Sequence, residues 1–470
     1  MMKFLFVGII SSIFLICIIS GLGCANIIPP SGGPRDTVPP RLIKADPADS
    51  TVNFHGNRIT LQFDEFIDLQ DLSRNIVMSP LPENNPILTV KLRTLDIRLR
   101  DTLEPNTTYT INFGNAIRDI NEANVLRDFT YTFATGNAFD SLQLRGKVIL
   151  AQNGKIDSTL IVVLHKNLSD SAVVNDRPRY ITKLNASGSF VFKNLPAGIF
   201  AIYAIGDAGS TRKYLNKNQL FAFADAPVST GDTTAPIILY AYREISATAA
   251  ANKPTAITAP RGTNIPQKRL QFTTNLTNGL QDLQKDLVLA FDQPLRNVDT
   301  TKIFLTSDTT FSPVQHTITV DSSKKHLDVH VEWKESTRYN LIFDKDFAED
   351  TSGRKLLKTD TLTFTTRKLA DYARINIRLK NVDSAQNPVL QFVQNDAVVF
   401  SAAVISGNFS SQSFLPGDYE LRVLFDTNKN GQWDPGSFFG IKRQPEVVKP
   451  IERHVTVKVG TENNFEVSLL

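Results

Sequence analysis

The 470-residue sequence predicts an all-β protein, a tandem array of four β-sandwich modules behind an export signal. Three observations carry this reading. Short apolar runs alternating with period 2, the pattern of half-buried strands, recur from residue 58 onward, and no long amphipathic helix interrupts them. The chain is too long for one core, and sandwiches of about 100 residues each divide it naturally. Strand phrases also reappear at fixed offsets, which marks internal duplication. A hydrophobic fraction of 41% with 21% charged residues describes packed material rather than disorder. The net charge of +4 is small for so large a surface, so no nucleic acid partner is expected.

Residues 1–23, MMKFLFVGIISSIFLICIISGLG, place Lys3 before an apolar run from Phe4 to Ile19 and small residues before Cys24. These are the three regions of an export signal. The run is short of the roughly 20 residues that span a bilayer, and a retained anchor helix is the alternative. Gly21-Leu22-Gly23-Cys24 resembles a lipobox, with Gly21 where Leu or Val is usual. That resemblance implies an N-terminal lipid on Cys24 and a membrane anchor; an ordinary secretory signal with an incidental Cys24 is the other reading. Cys17 would leave with the signal, so the mature chain would have no second thiol and no intramolecular disulfide. Residues 24–40 are rich in Pro and Gly and form a tether. In Bacteroidota, acids directly after the lipidated cysteine resemble a surface-export tag. Ala25 to Arg35 contains none, which favours the periplasmic face of the outer membrane.

Modules are expected at 41–137, 138–245, 269–367 and 368–470, with 246–268 as a linker of small polar residues and prolines. RITLQFDEFID at 58–68 matches DLVLAFDQPLR at 286–296, and Tyr109 in TYTINF matches Tyr339 in RYNLIF. Closing strands FTYTF at 129–133 and TLTFT at 361–365 follow, each after an acidic turn. With Asp36-Thr37-Val38-Pro39-Pro40 this pattern resembles the bacterial Ig-like domain of S-layer type found in Bacteroidota outer-membrane lipoproteins. The second copy lacks the DTVPP opening, so its lead-in must differ. The other two modules share G-x-F followed by L-P-(x)-G-x-(F/Y): Gly188-Ser189-Phe190 with Leu195 to Phe200, and Gly407-Asn408-Phe409 with Leu415 to Tyr419. This phrase resembles the transthyretin-like or carboxypeptidase-regulatory-like sandwich. Both resemblances imply a β-sandwich and neither implies an activity.

The strongest local candidate site is Asp426-Thr427-Asn428-Lys429-Asn430-Gly431-Gln432-Trp433-Asp434. Oxygen side chains at Asp426, Asn428, Asn430 and Asp434, with a glycine at the sixth position and Gln432 at the seventh, resemble a calcium loop. Ser437 stands where a bidentate Glu should close the shell. A hairpin in which Asp and Asn cap their own backbone accounts for the same residues. Trp433, Phe438 and Phe439 are read as a contact surface, because two adjacent aromatics in a strand face opposite ways. Trp333 ends the alternation Leu327, Val329, Val331 and is expected in the core. His326 and His330 lie about 13 Å apart along a strand, too far for one zinc ion. Asp-Ser/Thr-apolar triplets such as Asp170-Ser171-Ala172 and Asp383-Ser384-Ala385 resemble a Bacteroidota O-glycan acceptor, and turn composition explains them equally.

No nucleophile elbow, phosphate loop or dinucleotide fingerprint occurs in the sequence, so a non-catalytic role without a small-molecule substrate is expected. The reading is a lipid-anchored rod of sandwiches serving an outer-membrane protein complex. Surface glycan binding or adhesion through the Trp433 loop is the alternative.

Overall fold

The computed structural model describes residues 35–231, 235–244 and 269–469. The export signal, Cys24 and the linker 246–268 lie outside them. The chain divides into two compact units, residues 1–139 and 140–470.

In the first unit, module one builds an antiparallel sheet in the order Leu42–Asp46, Arg58–Phe63, Thr94–Arg98, Ile87–Lys91. A second sheet runs Val77–Ser79, Thr108–Asn112, Thr130–Ala134, and a short pair joins Ile67–Leu69 to Ile117–Asp119. The alternation read from the sequence decides which side chains meet. Ile59, Leu61, Phe63, Leu95 and Ile97 face Tyr109, Ile111, Tyr131 and Phe133 across one core.

Module three, in the second unit, repeats this plan. Its first sheet runs Phe272–Thr274, Leu287–Phe291, His326–His330, Thr317–Val320. Its second contains Ile303–Ser307, Arg338–Phe343 and Asp360–Thr366, and the short pair is Leu295–Val298 with Ala348–Asp350. The repeat extends to single hydrogen bonds. Tyr109 Oη accepts from Glu104 N–H at 2.8 Å, as Tyr339 Oη does from Lys334 at 3.2 Å. Thr135 Oγ1 donates to Glu104 C=O and accepts from Thr107 N–H; Thr366 does the same with Lys334 and Thr337. Trp333 packs on this core, edge-on to Tyr339 and Phe364.

Modules two and four share a different topology. In each, the first strand is central in a three-stranded sheet and pairs in parallel with the last: Leu142–Leu150 with Ile237–Ala241, and Ala373–Lys380 with Glu462–Ser468. The facing sheets run Tyr180–Lys183, Leu160–His165, Ile199–Gly206, Phe221–Phe223 in module two and Ala397–Ala403, Pro388–Gln394, Gly417–Phe425, Val447–Val457 in module four.

A linear rod does not describe residues 140–469. Module four packs back on module two, skipping module three in sequence. Val448 N–H donates to Ala151 C=O at 2.8 Å, and Lys155 pairs with Asp396. Gly154 adopts φ +71°, and a Cβ there would lie 2.3 Å from Pro450 Cδ, so only glycine allows this approach. Modules three and four are also tied, through Tyr372 Oη, which donates to Asp282 Oδ1 at 2.7 Å and accepts from Leu283 N–H at 2.8 Å.

The two Ig-like copies differ at the acidic turn. Asp119 and Asp350 are both buried and both accept backbone N–H groups of the turn that follows. Burial pushes both carboxyls up, but these N–H donors, joined by the Arg354 side chain at Asp350, outweigh it and hold them below the ordinary value. Asn124 in module one and Arg354 in module three occupy the same place in the ring, each accepting the aspartate's own N–H. Asn124 Nδ2 donates to Asp36 and Val38 C=O and so holds the DTVPP lead-in. Arg354 instead donates Nε to Asp350 at 2.5 Å and Nη2 to both oxygens of Asp292 at 2.8 and 2.9 Å. Arg354→Ala should therefore destabilise the protein by about 2–3 kcal/mol, because it strips a buried carboxylate of its charged partner. Urea denaturation of wild type and variant measures this.

Candidate functional site

The loop after Gly417–Phe425 is organised by three carboxylates. Asp426, 2% exposed, accepts N–H groups of Lys429 at 2.7 Å, Asn430 at 3.3 Å and Gly431 at 2.6 Å. Asp434 accepts the side-chain amides of Asn428 and Asn430, each at 2.7 Å. The third is Glu446, buried at the far end of the loop. It accepts Thr427 N–H and Oγ1–H at 2.7 Å and Asp434 N–H at 3.0 Å. Gln432 N–H donates to Asn430 Oδ1. Ser437, at the twelfth position, instead pairs its backbone with Arg443. Both oxygens of Asp426 and the amide oxygens of Asn428 and Asn430 thus accept N–H donors of the loop itself, and Asp434 accepts through Oδ2. Among the described residues, no group of three His, Cys, Asp or Glu side chains is arranged to hold a metal ion.

Trp433 lies against Val389, Leu424 and Val448 on the outer face of its own sheet, its Nε1–H donating to Glu446 C=O at 2.7 Å. Phe438, expected as a contact residue for a partner, is 1% exposed and makes its contact within the chain. Its ring sits 4.9 Å from Phe221, 5.1 Å from Phe223 and 5.7 Å from Tyr203 of module two. Phe439 stacks on Tyr214 at 5.9 Å and stays 43% exposed. Neither residue lies in a strand, so strand alternation does not govern the pair: Phe438 turns into the neighbouring module and Phe439 stays outside. Polar groups rim the insertion. Lys442 Nζ bonds Asp170 at 2.5 Å and lies over the Phe438 ring, and Gln444 Nε2 donates to Phe223 C=O and Asp225. Gly436 is required here as well, since a Cβ would lie 2.6 Å from the Tyr242 ring.

The receiving surface in module two was missed at the sequence level. Its signal is that LIVVLH at 160–165 and IFAIYAIG at 199–206 are nearly continuous apolar runs, which indicate strands buried on both faces. One face fills the module core. The other carries Val163, His165, Tyr203, Phe221 and Phe223, on which lie Tyr214 of the same module, its N–H held by Val173 C=O, and Phe438. Burial pushes the Tyr203 hydroxyl up to about 12. His165 is 1% exposed, its Nε2 has no hydrogen-bond partner among the described residues, and burial lowers its pKa to about 4. His326 and His330 each face a separate carboxylate, Asp321 at 3.2 Å and Asp286 at 2.7 Å. Asp36 and Asp383 of the Asp-Ser/Thr triplets accept the N–H two residues on, and Asp170 takes Lys442.

Comparison with known proteins defines the class of two modules. Residues 36–135 and 266–366 match the family described as bacterial Ig-like domain, so modules one and three are bacterial Ig-like domains. No curated protein matches the chain. Solved structures with some likeness include an L,D-transpeptidase from Mycobacterium smegmatis, 14% identical, covering 35% of this chain and 79% of that one, TM-score 0.16. The Bacillus anthracis TIE protein is 11% identical over 94% of this chain and 76% of its own, TM-score 0.16. BcpA, the major pilin subunit of Bacillus cereus, is 9% identical over 70% and 100%, TM-score 0.17. Likeness at these scores carries no argument about activity or partners.

The clamp and the buried histidine can each be tested by stability. Phe438→Ala should cost about 3 kcal/mol in chemical denaturation, as for other buried phenylalanines, and expose the module two face to protease, whereas Phe439→Ala should cost under about 1 kcal/mol. His165 resists protonation when folded and accepts it when unfolded. Its stabilising contribution is complete above the unfolded pKa of about 6.5 and is lost as pH falls toward 4, by roughly 3 kcal/mol. Stability curves of wild type and His165→Leu should diverge over that window and run parallel above pH 7.

Proposed function

We propose that this protein is a non-catalytic, lipid-anchored subunit of an outer-membrane assembly, held by Cys24 at the periplasmic face and working through protein contacts. The observation that carries the reading is the pair of bacterial Ig-like domains interleaved with two further sandwiches, downstream of a lipobox-like Gly21-Leu22-Gly23-Cys24. The intrachain clamp adds to it. A module pair locked by Phe438, Lys442 and Gln444 holds its loops in fixed relation, which suits a scaffold presenting several contact points to one partner. For glycan binding through the same loop, Phe438 is engaged inside the chain and Trp433 packs half-buried on its own sheet, which leaves Phe439, 43% exposed, as the ring a sugar would meet.

The test is a mild-detergent pull-down of the tagged protein from native outer membrane, with Cys24→Ala as control. A membrane protein recovered in stoichiometric amount, and lost or depleted in the control, is the expected result. Recovery of the chain alone, or an unchanged partner with Cys24→Ala, overturns the subunit or the anchor respectively.

A further inference from the structure

One end of module one gathers apolar side chains that the fold does not cover. Phe66 is 43%, Leu92 71% and Ile120 57% exposed. They belong to three different turns, and the backbone brings them together: Ile120 N–H donates to Phe66 C=O and Ile67 N–H to Leu92 C=O, each at 3.1 Å. Leu92 is the first of two residues in the hairpin joining Ile87–Lys91 to Thr94–Arg98, and it holds φ +56°, a conformation for which turns ordinarily select Gly or Asn. A large apolar side chain there strains the backbone and is left in water, so packing gives no reason for it.

Module three makes the same turns with different residues. Thr351 N–H donates to Pro294 C=O at 3.0 Å and Leu295 N–H to Lys324 C=O at 2.8 Å, and Lys324 repeats φ +56°. Where module one has Phe66, Leu92 and Ile120, its duplicate therefore has Pro294, Lys324 and Thr351, so the domain architecture does not need the apolar trio. What distinguishes module one is its place in the chain. Arg35 Nη2 donates to Glu122 C=O at 3.1 Å, two residues from Ile120, so the lead-in arrives at this end. Residues 25–34 alone separate Arg35 from Cys24, and ten residues reach at most about 35 Å. The closing strand Thr130–Ala134 starts at this end, where Phe129 meets Phe63, and carries the chain out of module one from the other.

We propose that Phe66, Leu92 and Ile120 insert into the phospholipid surface in which Cys24 is anchored and dock module one on it end-on; the inference rests on the lipid anchor proposed above. Three partly exposed side chains bind a membrane weakly by themselves. A lipid held within the reach of the tether keeps the bilayer at a high local concentration, so that a weak contact persists. Arg93 lies over the Phe66 ring at 5.2 Å and brings its guanidinium to the level of the headgroups as the ring enters. Around the trio acids and bases nearly balance, with Arg35, Arg41 and Arg93 against Asp36, Asp64, Glu65 and Glu122. The contact is therefore apolar, needs no anionic lipid and is insensitive to salt.

The test uses the full chain with Phe66→Trp, purified from its native membrane and reconstituted in phosphatidylcholine vesicles, beside Pro294→Trp as the matched position of module three. Flotation with the vesicles reports the anchor, and quenching by brominated phosphatidylcholine, measured against wild type, reports the docking. Both variants are expected to float, and only Phe66→Trp to be quenched beyond wild type, equally at low and high salt. Adding Leu92→Lys and Ile120→Thr, the residues of module three at exposed positions, should lower the ratio of docked to undocked chain at least about tenfold, the loss of one such burial, at an unaltered melting temperature. A chain that does not float overturns the anchor and the docking built on it. Flotation without quenching of Phe66→Trp, equal quenching of Pro294→Trp, or indifference to Leu92→Lys/Ile120→Thr overturns the docking alone. Shielding of Phe66→Trp from aqueous iodide without lipid quenching also overturns it and makes a protein the cover.

Discussion

The insertion of Phe438 into the outer face of module two is the contact on which the arrangement of residues 140–469 depends. A β-sheet with apolar side chains on both faces needs two covers. In module two the inner face has the core of its own sandwich, whereas Tyr203, Phe221 and Phe223 on the outer face receive a ring from a segment two modules further along the chain. Remove that ring and an aromatic patch faces water beside an already desolvated histidine. Most of the energy lies in this burial; the rim bond of Lys442 to Asp170 is half-exposed and contributes mainly orientation. Val448 on Ala151, and the close approach at Gly154, fix the register of the two modules around the ring.

Duplication supplied the parts and divergence supplied the joint. Modules two and four have one topology, yet the loop after the equivalent strand differs. In module two, Asp207 anchors a short loop that lays Tyr214 on Phe221, ring centroids 4.1 Å apart. In module four the loop begins at Asp426, the counterpart of Asp207, and places Trp433 at the equivalent position on its own sheet before running on to Phe438. The Ig-like pair diverged in the same economical way. One position in an acidic turn is Asn124 in one copy, binding the lead-in backbone, and Arg354 in the other, bridging two carboxylates.

How much of this the sequence discloses follows from the range of each signal. Strand alternation and turn chemistry are local, so the sheets of modules one and three, with Tyr109 matching Tyr339 and Trp333 packed against the core of module three, are legible in advance. The adjacent pair Phe438 and Phe439 lies in a loop rather than a strand, so local alternation does not decide which ring turns inward. What the inward ring touches is not local information. The apolar runs at 160–165 and 199–206 state that a second cover exists without naming it, and the whole of module three intervenes between them and Phe438. The acidic turn of module three is a similar case: Arg354, which bridges Asp350 and Asp292 where Asn124 holds the lead-in backbone, looks in sequence like any surface arginine.

The sequence of the Asp426 loop reads equally as a calcium loop or as a hairpin that caps its own backbone, and the backbone caps are present. Its residues are those a hard cation would choose, both oxygens of Asp426 accept backbone N–H groups of the same loop, and Glu446 closes the ring from the far end of the loop. A loop satisfied in this way is stiff, because each carboxylate fixes two or three donors at once and loses their hydrogen bonds if the backbone moves. Stiffness is what the geometry further along requires. A short stretch of chain separates Asp434 from Phe438, and a ring delivered into a closed aromatic pocket between two sandwiches must leave its own module at one angle. The acidic loop is therefore the base of the clamp, and the aromatic residues beyond it are its working end.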